Sequence, residues 1–219
     1  MLYIKKMFLL VAVVLLMIPV NSNASSCPNL YPPNFKIPNF KELCNSFFVN
    51  LVDKEKPAVI MSSERLQMSP TFSTIERLNN FRSDPRWDKT SKNIDYTGIG
   101  LDRGHMAPAD DASTYQEGRD TFLLSNMTPQ EPTLNRQAWR VLEEDVRNMV
   151  RNYGGVVYVV TIAVYNSPRY IGRLPIPTGY WKIVYLGADK KMFFAENKPN
   201  AKVVQYKNVD LQKLLRPVW

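Results

Sequence analysis

The only histidine of the 219-residue chain, His105, stands in the stretch IGLDRGHMAPADD. An unperturbed imidazole titrates near pH 6.5, so it can take a proton at neutral pH. Two residues earlier stands Arg103, whose planar fork of donors suits phosphate oxygens. In an extended segment these two side chains face the same side. Gly104 between them would let the backbone turn sharply and come close to a ligand. A base beside a phosphate fork is the equipment for phosphodiester hydrolysis. The alternative is a structural histidine in a loop, with Asp102 pairing a neighbouring base.

A second group of residues lies downstream, in LNRQAWRVLEEDVRNMVRNYGG (residues 134–155). Trp139, Leu142, Val146, Met149 and Val150 recur there at helical spacing, and Gly154-Gly155 can end the helix. Glu143 and Arg147 are four apart and share a face that differs from the apolar stripe. Asn135 sits where the helix begins. Mg²⁺ keeps most of its waters and takes only one or two oxygen ligands from a protein. An asparagine amide oxygen, with a carboxylate behind it holding waters, would suffice. The ordinary alternative makes Asn135 a helix cap and Glu143–Arg147 a surface ion pair worth about 0.3–0.5 kcal/mol.

Several other chemistries are excluded. One histidine cannot build a multi-histidine zinc site. There is no G-x-S-x-G for a serine hydrolase and no G-x-x-x-x-G-K-[ST] phosphate loop. The glycines at 98, 100 and 104 have the wrong spacing for a dinucleotide fingerprint.

The elements that must position these residues are a mixture of strands and one strong helix. AVIMSS (Ala58 to Ser63), TFLLSN (Thr121 to Asn126) and VVYVVTIAVY (Val156 to Tyr165) read as strands. YWKIVYLG (Tyr180 to Gly187) and KMFFAEN (Lys191 to Asn197) read as a hairpin turning at Ala188-Asp189-Lys190. SDPRWDKTSKNIDYTG (Ser83 to Gly98) is turn-rich and charged, a loop by composition. The pattern predicts an α+β fold around a mixed or antiparallel sheet.

Residues 1–24 have the layout of a secretory signal peptide: Lys5 and Lys6, an apolar run from Met7 to Val20, then Ser22-Asn23-Ala24. Fourteen apolar residues are short for a membrane span, which needs about 20. The alternative is an uncleaved anchor. Export places the chain in a periplasm or outside the cell, with no stable membrane association after cleavage. Two cysteines in an oxidising compartment have one possible pairing, so Cys27–Cys44 is expected to tie down an N-terminal arm over residues 25–54. Such a loop would restrict the unfolded chain by about 3 kcal/mol if the effect is purely one of chain entropy. The formal charge of +8 is spread through the chain, which permits nucleic acid as a partner without diagnosing it.

Three ordered stretches carry a resemblance: DRGHMAP (Asp102 to Pro108), TFLLSNMTPQ (Thr121 to Gln130) and LNRQAWRVLEEDVR (Leu134 to Arg147). Together they resemble the DNA/RNA non-specific endonucleases, a family of secreted bacterial nucleases and mitochondrial endonuclease G. PIPTGYWKIVY (Pro175 to Tyr185) is also similar to a family segment, and the resemblance covers about residues 55–215, with residues 55–219 forming the nuclease domain. It implies a ββα-metal active site that cuts DNA and RNA with Mg²⁺, or with Mn²⁺ or another divalent cation. It implies that His105 is the general base, Asn135 the direct metal ligand, and Glu143 the carboxylate holding metal-bound waters. Arg103 and Arg147 would lie near the scissile phosphate. Asn126 would support the site by fixing the histidine loop, and Asp102 would be structural. The family commonly carries another phosphate-binding arginine where this chain has Asn79 and Asn80; Arg77 and Arg82 are the candidates to replace it. Two other functions use the same residues: a catalytically weak nucleic-acid-binding module, and a phosphodiesterase acting on a substrate other than nucleic acid.

Overall fold

In a computed structural model, residues 25–217 and Trp219 are described. The proposed signal peptide, residues 1–24, lies outside the described residues. Seven strands form one antiparallel sheet. They are β1 (Lys41–Cys44), β2 (Phe48–Val52), β3 (Val59–Leu66), β6 (Val157–Val164), β9 (Gly179–Leu186), β10 (Asp189–Glu196) and β11 (Val204–Tyr206), in that spatial order. Two small ribbons lie apart from it: β4 (Asp102–His105) with β5 (Met127–Gln130), and β7 (Tyr170–Ile171) with β8 (Leu174–Pro175). The helices are α1 (Tyr115–Thr121), α2 (Arg140–Tyr153) and the short α3 (Leu211–Leu214). The α+β class expected from the sequence is the class observed.

β6 and β9 are rich in β-branched and aromatic residues, and with β3 they are buried almost throughout and central in the sheet. The chain leaves the sheet after β3 and returns at β6, and the excursion between them carries β4, α1, β5 and α2. α2 buries Leu142, Val146 and Val150 and ends at Gly154, whose φ of 75° is the left-handed stop that glycine tolerates. Trp139 packs on Tyr180 of β9, with ring centroids 5.6 Å apart. That contact lays the start of the helix across the sheet.

Three local expectations are corrected. TFLLSN is not a strand: Thr121 closes α1, whose Thr114–Glu117 capping box starts it, and residues 124–126 form a 3₁₀ turn. Its apolar residues are buried, but by the turn rather than by strand pairing. The long helix does not begin at Leu134 as an α-helix. Leu134–Trp139 form a π-helical stretch that leads into α2. The late hairpin turns at Gly187-Ala188, with Leu186 paired to Asp189. Gly187 has φ 64°, the conformation such a two-residue turn requires.

The Cys27–Cys44 disulfide is formed. The stretch read as an arm, residues 25–54, contributes β1 and β2 to the main sheet.

Candidate active site

β4 and β5 form an antiparallel ribbon in which Gly104 pairs with Thr128 and His105 with Met127. The expected reason for Gly104 is corrected here. It lies within β4 rather than at a turn. A Cβ on it would meet the Gln130 side chain at 2.2 Å. The glycine makes room for Gln130, not for a ligand.

The His105 ring sits between two aromatics. Its centroid is 5.2 Å from that of Phe122, edge-on, and 6.0 Å from that of Phe81. Its Nε2 is enclosed and has no hydrogen-bond partner among the described residues. Burial, and secondarily the nearby charge of Arg77, hold its pKa down at about 3. The imidazole is therefore neutral at physiological pH, the form that can accept a proton.

The loop after His105 is stapled by Asn126, which is fully buried. Its Oδ1 accepts from Ala107 N at 3.0 Å, and its Nδ2 donates to the carbonyls of Ala107 and Thr121 at 2.9 Å each. A second buried asparagine, Asn50 of β2, donates to the Ser125 carbonyl. Asn126 thus fixes the histidine loop and does not line the cleft.

An open cleft of about 220 Å³ is lined by His105, Asn135, Glu143, Asp110, Arg77, Arg136 and Arg140, with Pro108 and Ala109. Asn135 comes from the π-helical stretch, a distortion that recurs at functional sites. It does not cap the helix. Its Nδ2 donates to Asp102 Oδ2 at 2.9 Å, which leaves the amide oxygen for the cleft. Asp102 also accepts the fork of Arg136, at 2.8 and 2.6 Å, so its pairing base is Arg136 rather than a sequence neighbour. Among the described residues, no three His, Cys, Asp or Glu side chains cluster as a metal cage. The donors do fit a hydrated hard cation: one oriented amide oxygen, and one carboxylate, Glu143, on the same cleft. Burial lifts the Glu143 carboxyl to about 7, with Lys182 opposing that rise.

Two arginines fall elsewhere. Arg147 does not share a surface ion pair with Glu143. Its side chain is 3% exposed, bonded to Asp111 at 3.1 Å and to Glu144 at 2.9 Å. It is not among the cleft-lining residues. Asp111, from the 3₁₀ turn Ala109–Asp111, takes the Arg147 guanidinium, while Glu143 on the same helical face lines the cleft. Arg103 is not in the cleft lining either. Its guanidinium lies over Phe81 at 4.9 Å and over Tyr96 at 5.5 Å, beside the histidine.

The candidates for the missing arginine separate cleanly. Arg82 donates to the Arg119 carbonyl at 2.8 Å and lies 4.0 Å from Asp120. Arg77 lines the cleft, lies 5.4 Å over the Phe122 ring, and donates through Nε to Asn79 Oδ1 at 3.0 Å. Asn79, one of the two asparagines where the resemblance implied an arginine, accepts from an arginine two residues upstream. Arg136 and Arg140 were missed in the sequence because neither stands in the histidine block. The available signal was their position one and five residues after Asn135 on the same segment.

Fold and cleft together define a class of chain: an α+β scaffold presenting one imidazole, an amide–carboxylate pair and a rim of exposed arginines. Residues 28–217 match the family described as DNA/RNA non-specific endonuclease, and the chain belongs to that family. It is 37% identical to a nuclease of Nostoc sp. over 122 residues, covering 53% of this chain and 44% of that protein. It is 34% identical to the Serratia marcescens nuclease over 124 residues, 50% of this chain and 46% of that protein. It is 34% identical to human mitochondrial endonuclease G over 142 residues, 58% and 47% respectively. The chain thus matches about half the length of these curated relatives. The crystal structure of the EndoG/EndoGI complex aligns with a TM-score of 0.68 and 24% identity, over 80% of this chain and 83% of that one. At that identity the likeness speaks for the fold.

Proposed function

We propose that this protein is an exported, divalent-metal-dependent endonuclease that hydrolyses phosphodiester bonds of DNA and RNA without regard to sequence or sugar. The observation that carries this reading is the convergence of His105, Asn135, Glu143 and three arginines on one cleft. Neutral His105 acts as the general base on water. A phosphate anion in the cleft offsets the charge of Arg77 and raises the basicity of the imidazole. Asn135 and Glu143 would hold Mg²⁺, Asn135 through its amide oxygen and Glu143 through water. The bound ion would supply Lewis-acid stabilisation of the phosphoryl oxygens. Arg77, Arg136 and Arg140 draw in and grip the backbone phosphates. Contacts to phosphate rather than to base edges carry no sequence information. Export is supported by the signal-like N-terminus and by a disulfide, which persists in an oxidising compartment.

The test is a digest of circular DNA and total RNA by the mature chain, with Mg²⁺ and with chelator, beside His105→Ala. Cutting of both substrates that chelator stops, and that the alanine variant lacks, is the expected result. Full cutting by His105→Ala would remove the histidine from its role.

A further inference from the structure

Behind the cleft lies a layer of buried ionisable groups. Lys182 is the unusual member: it stands in the middle of the apolar strand β9 with a side chain only 1% exposed. Removing an ammonium from water costs several kcal/mol unless partners replace its hydration. Its partners are few and specific. Nζ donates to Thr161 Oγ1, its direct cross-strand neighbour, at 2.9 Å. It stands 5.3 Å over the Trp139 ring. Its nearest carboxylate is Glu143, with Nζ and Oε1 3.9 Å apart.

The other buried cation of the layer is already matched. Arg147 pairs with Asp111. Glu64 is fully buried, with neither carboxyl oxygen accepting a hydrogen bond from a donor among the described residues. Burial pushes the Glu64 carboxyl well above the ordinary carboxylate range, and neighbouring Asp111 adds to the rise while Lys182 opposes it. Arg147 is thus taken by other carboxylates, and the one carboxylate within 4.0 Å of Lys182 Nζ among the described residues is Glu143. We propose that Lys182 is a positioning residue: anchored by Thr161, it holds Glu143 Oε1 from the sheet side and so aims the carboxylate into the cleft. The proposal rests on the reading of Glu143 as the carboxylate behind the metal.

The test measures Mn²⁺ binding by electron paramagnetic resonance on the full mature chain, without substrate. Lys182→Met and Thr161→Val are each made alone and in a Glu143→Gln background, with folding checked by cooperative melting. Lys182→Met is expected to weaken Mn²⁺ binding about 10- to 100-fold, the usual cost of removing an outer partner of a metal site. Thr161→Val should weaken it less. In the Glu143→Gln background neither change should weaken it further. Equal losses in both backgrounds, or native affinity in Lys182→Met, overturn the proposal. Should Lys182→Met fail to fold, the Thr161→Val pair decides by the same criterion. If the native chain cuts nucleic acid while the Lys182 variants bind Mn²⁺ normally, this proposal alone fails. If the native chain binds no Mn²⁺, the metal reading fails with it.

Discussion

Asp102 accepts the Nδ2–H of Asn135 at 2.9 Å and thereby decides which end of that amide faces the cleft. An amide free to rotate would present nitrogen half the time, and nitrogen cannot bind a cation. Asp102→Ala removes the acceptor and releases Arg136 as well. Mg²⁺ affinity is expected to fall about 10- to 100-fold, read from the Mg²⁺ dependence of cutting and from direct Mn²⁺ binding. Native affinity in this variant would show that Asn135 is oriented by something else.

Arg77 lines the cleft and donates to Asn79. Arg77→Ala is expected to lower kcat/KM on a short oligonucleotide about 100-fold. Adding Asn79→Arg in that background should restore part of the loss, because the Asn79 side chain stands 3.0 Å from the Arg77 guanidinium and a longer cationic side chain there can reach the space it vacates. An unchanged KM and kcat in Arg77→Ala would assign the phosphate grip to Arg136 and Arg140 alone.

Arg147 is buried against Asp111. Removing one partner of such a pair leaves an uncompensated charge and costs about 3–5 kcal/mol. Arg147→Ala should therefore show its main effect in the urea midpoint. Native stability with a raised KM would return Arg147 to the phosphate site.

Stability should depend on pH from both sides in metal-free protein. His105 has a folded pKa near 3, against the 6.5 of an unperturbed histidine. Between those values the unfolded chain binds more protons, so this contribution is full above about 6.5 and lost as pH falls. Glu64 is shifted the other way, well above 4.5. Its contribution is full below about 4.5 and lost as pH rises, because only the unfolded carboxyl releases its proton there. Glu143, raised to about 7, adds to the same alkaline fall, so unfolding free energies from pH 4 to 8 should show a shallower alkaline fall in Glu64→Gln and a shallower acid fall in His105→Gln. A Glu64→Gln profile parallel to the native one would contradict the upward shift of Glu64.

Activity should decline with added salt, since binding through phosphates releases counterions. A flat rate from 50 to about 200 mM salt would count against phosphate-dominated recognition.

The fold class was legible because β6, β9 and the α2 stripe carry strong local patterns, and burial enforced them. TFLLSN misled because a short apolar run is buried equally well by a turn, and periodicity cannot separate the two. Lys182 left a faint signal: a single charge at an inward register of YWKIVY. Nothing in its spacing named Glu143 as its partner.

The motif residues, the lone base, the asparagine and the carboxylate were written in the chain, because their chemistry follows from residue type. Which arginines reach the cleft was not. Arg147 shares a helical face with Glu143, yet its guanidinium is taken by Asp111 from a turn 36 positions away. Arg77, without a motif of its own, arrives beside His105 because Phe122 and Asn79 hold it there. A charged side chain goes where its long-range partners and the packed sheet leave it room. Those partners are set by three-dimensional neighbourhood rather than by distance along the chain.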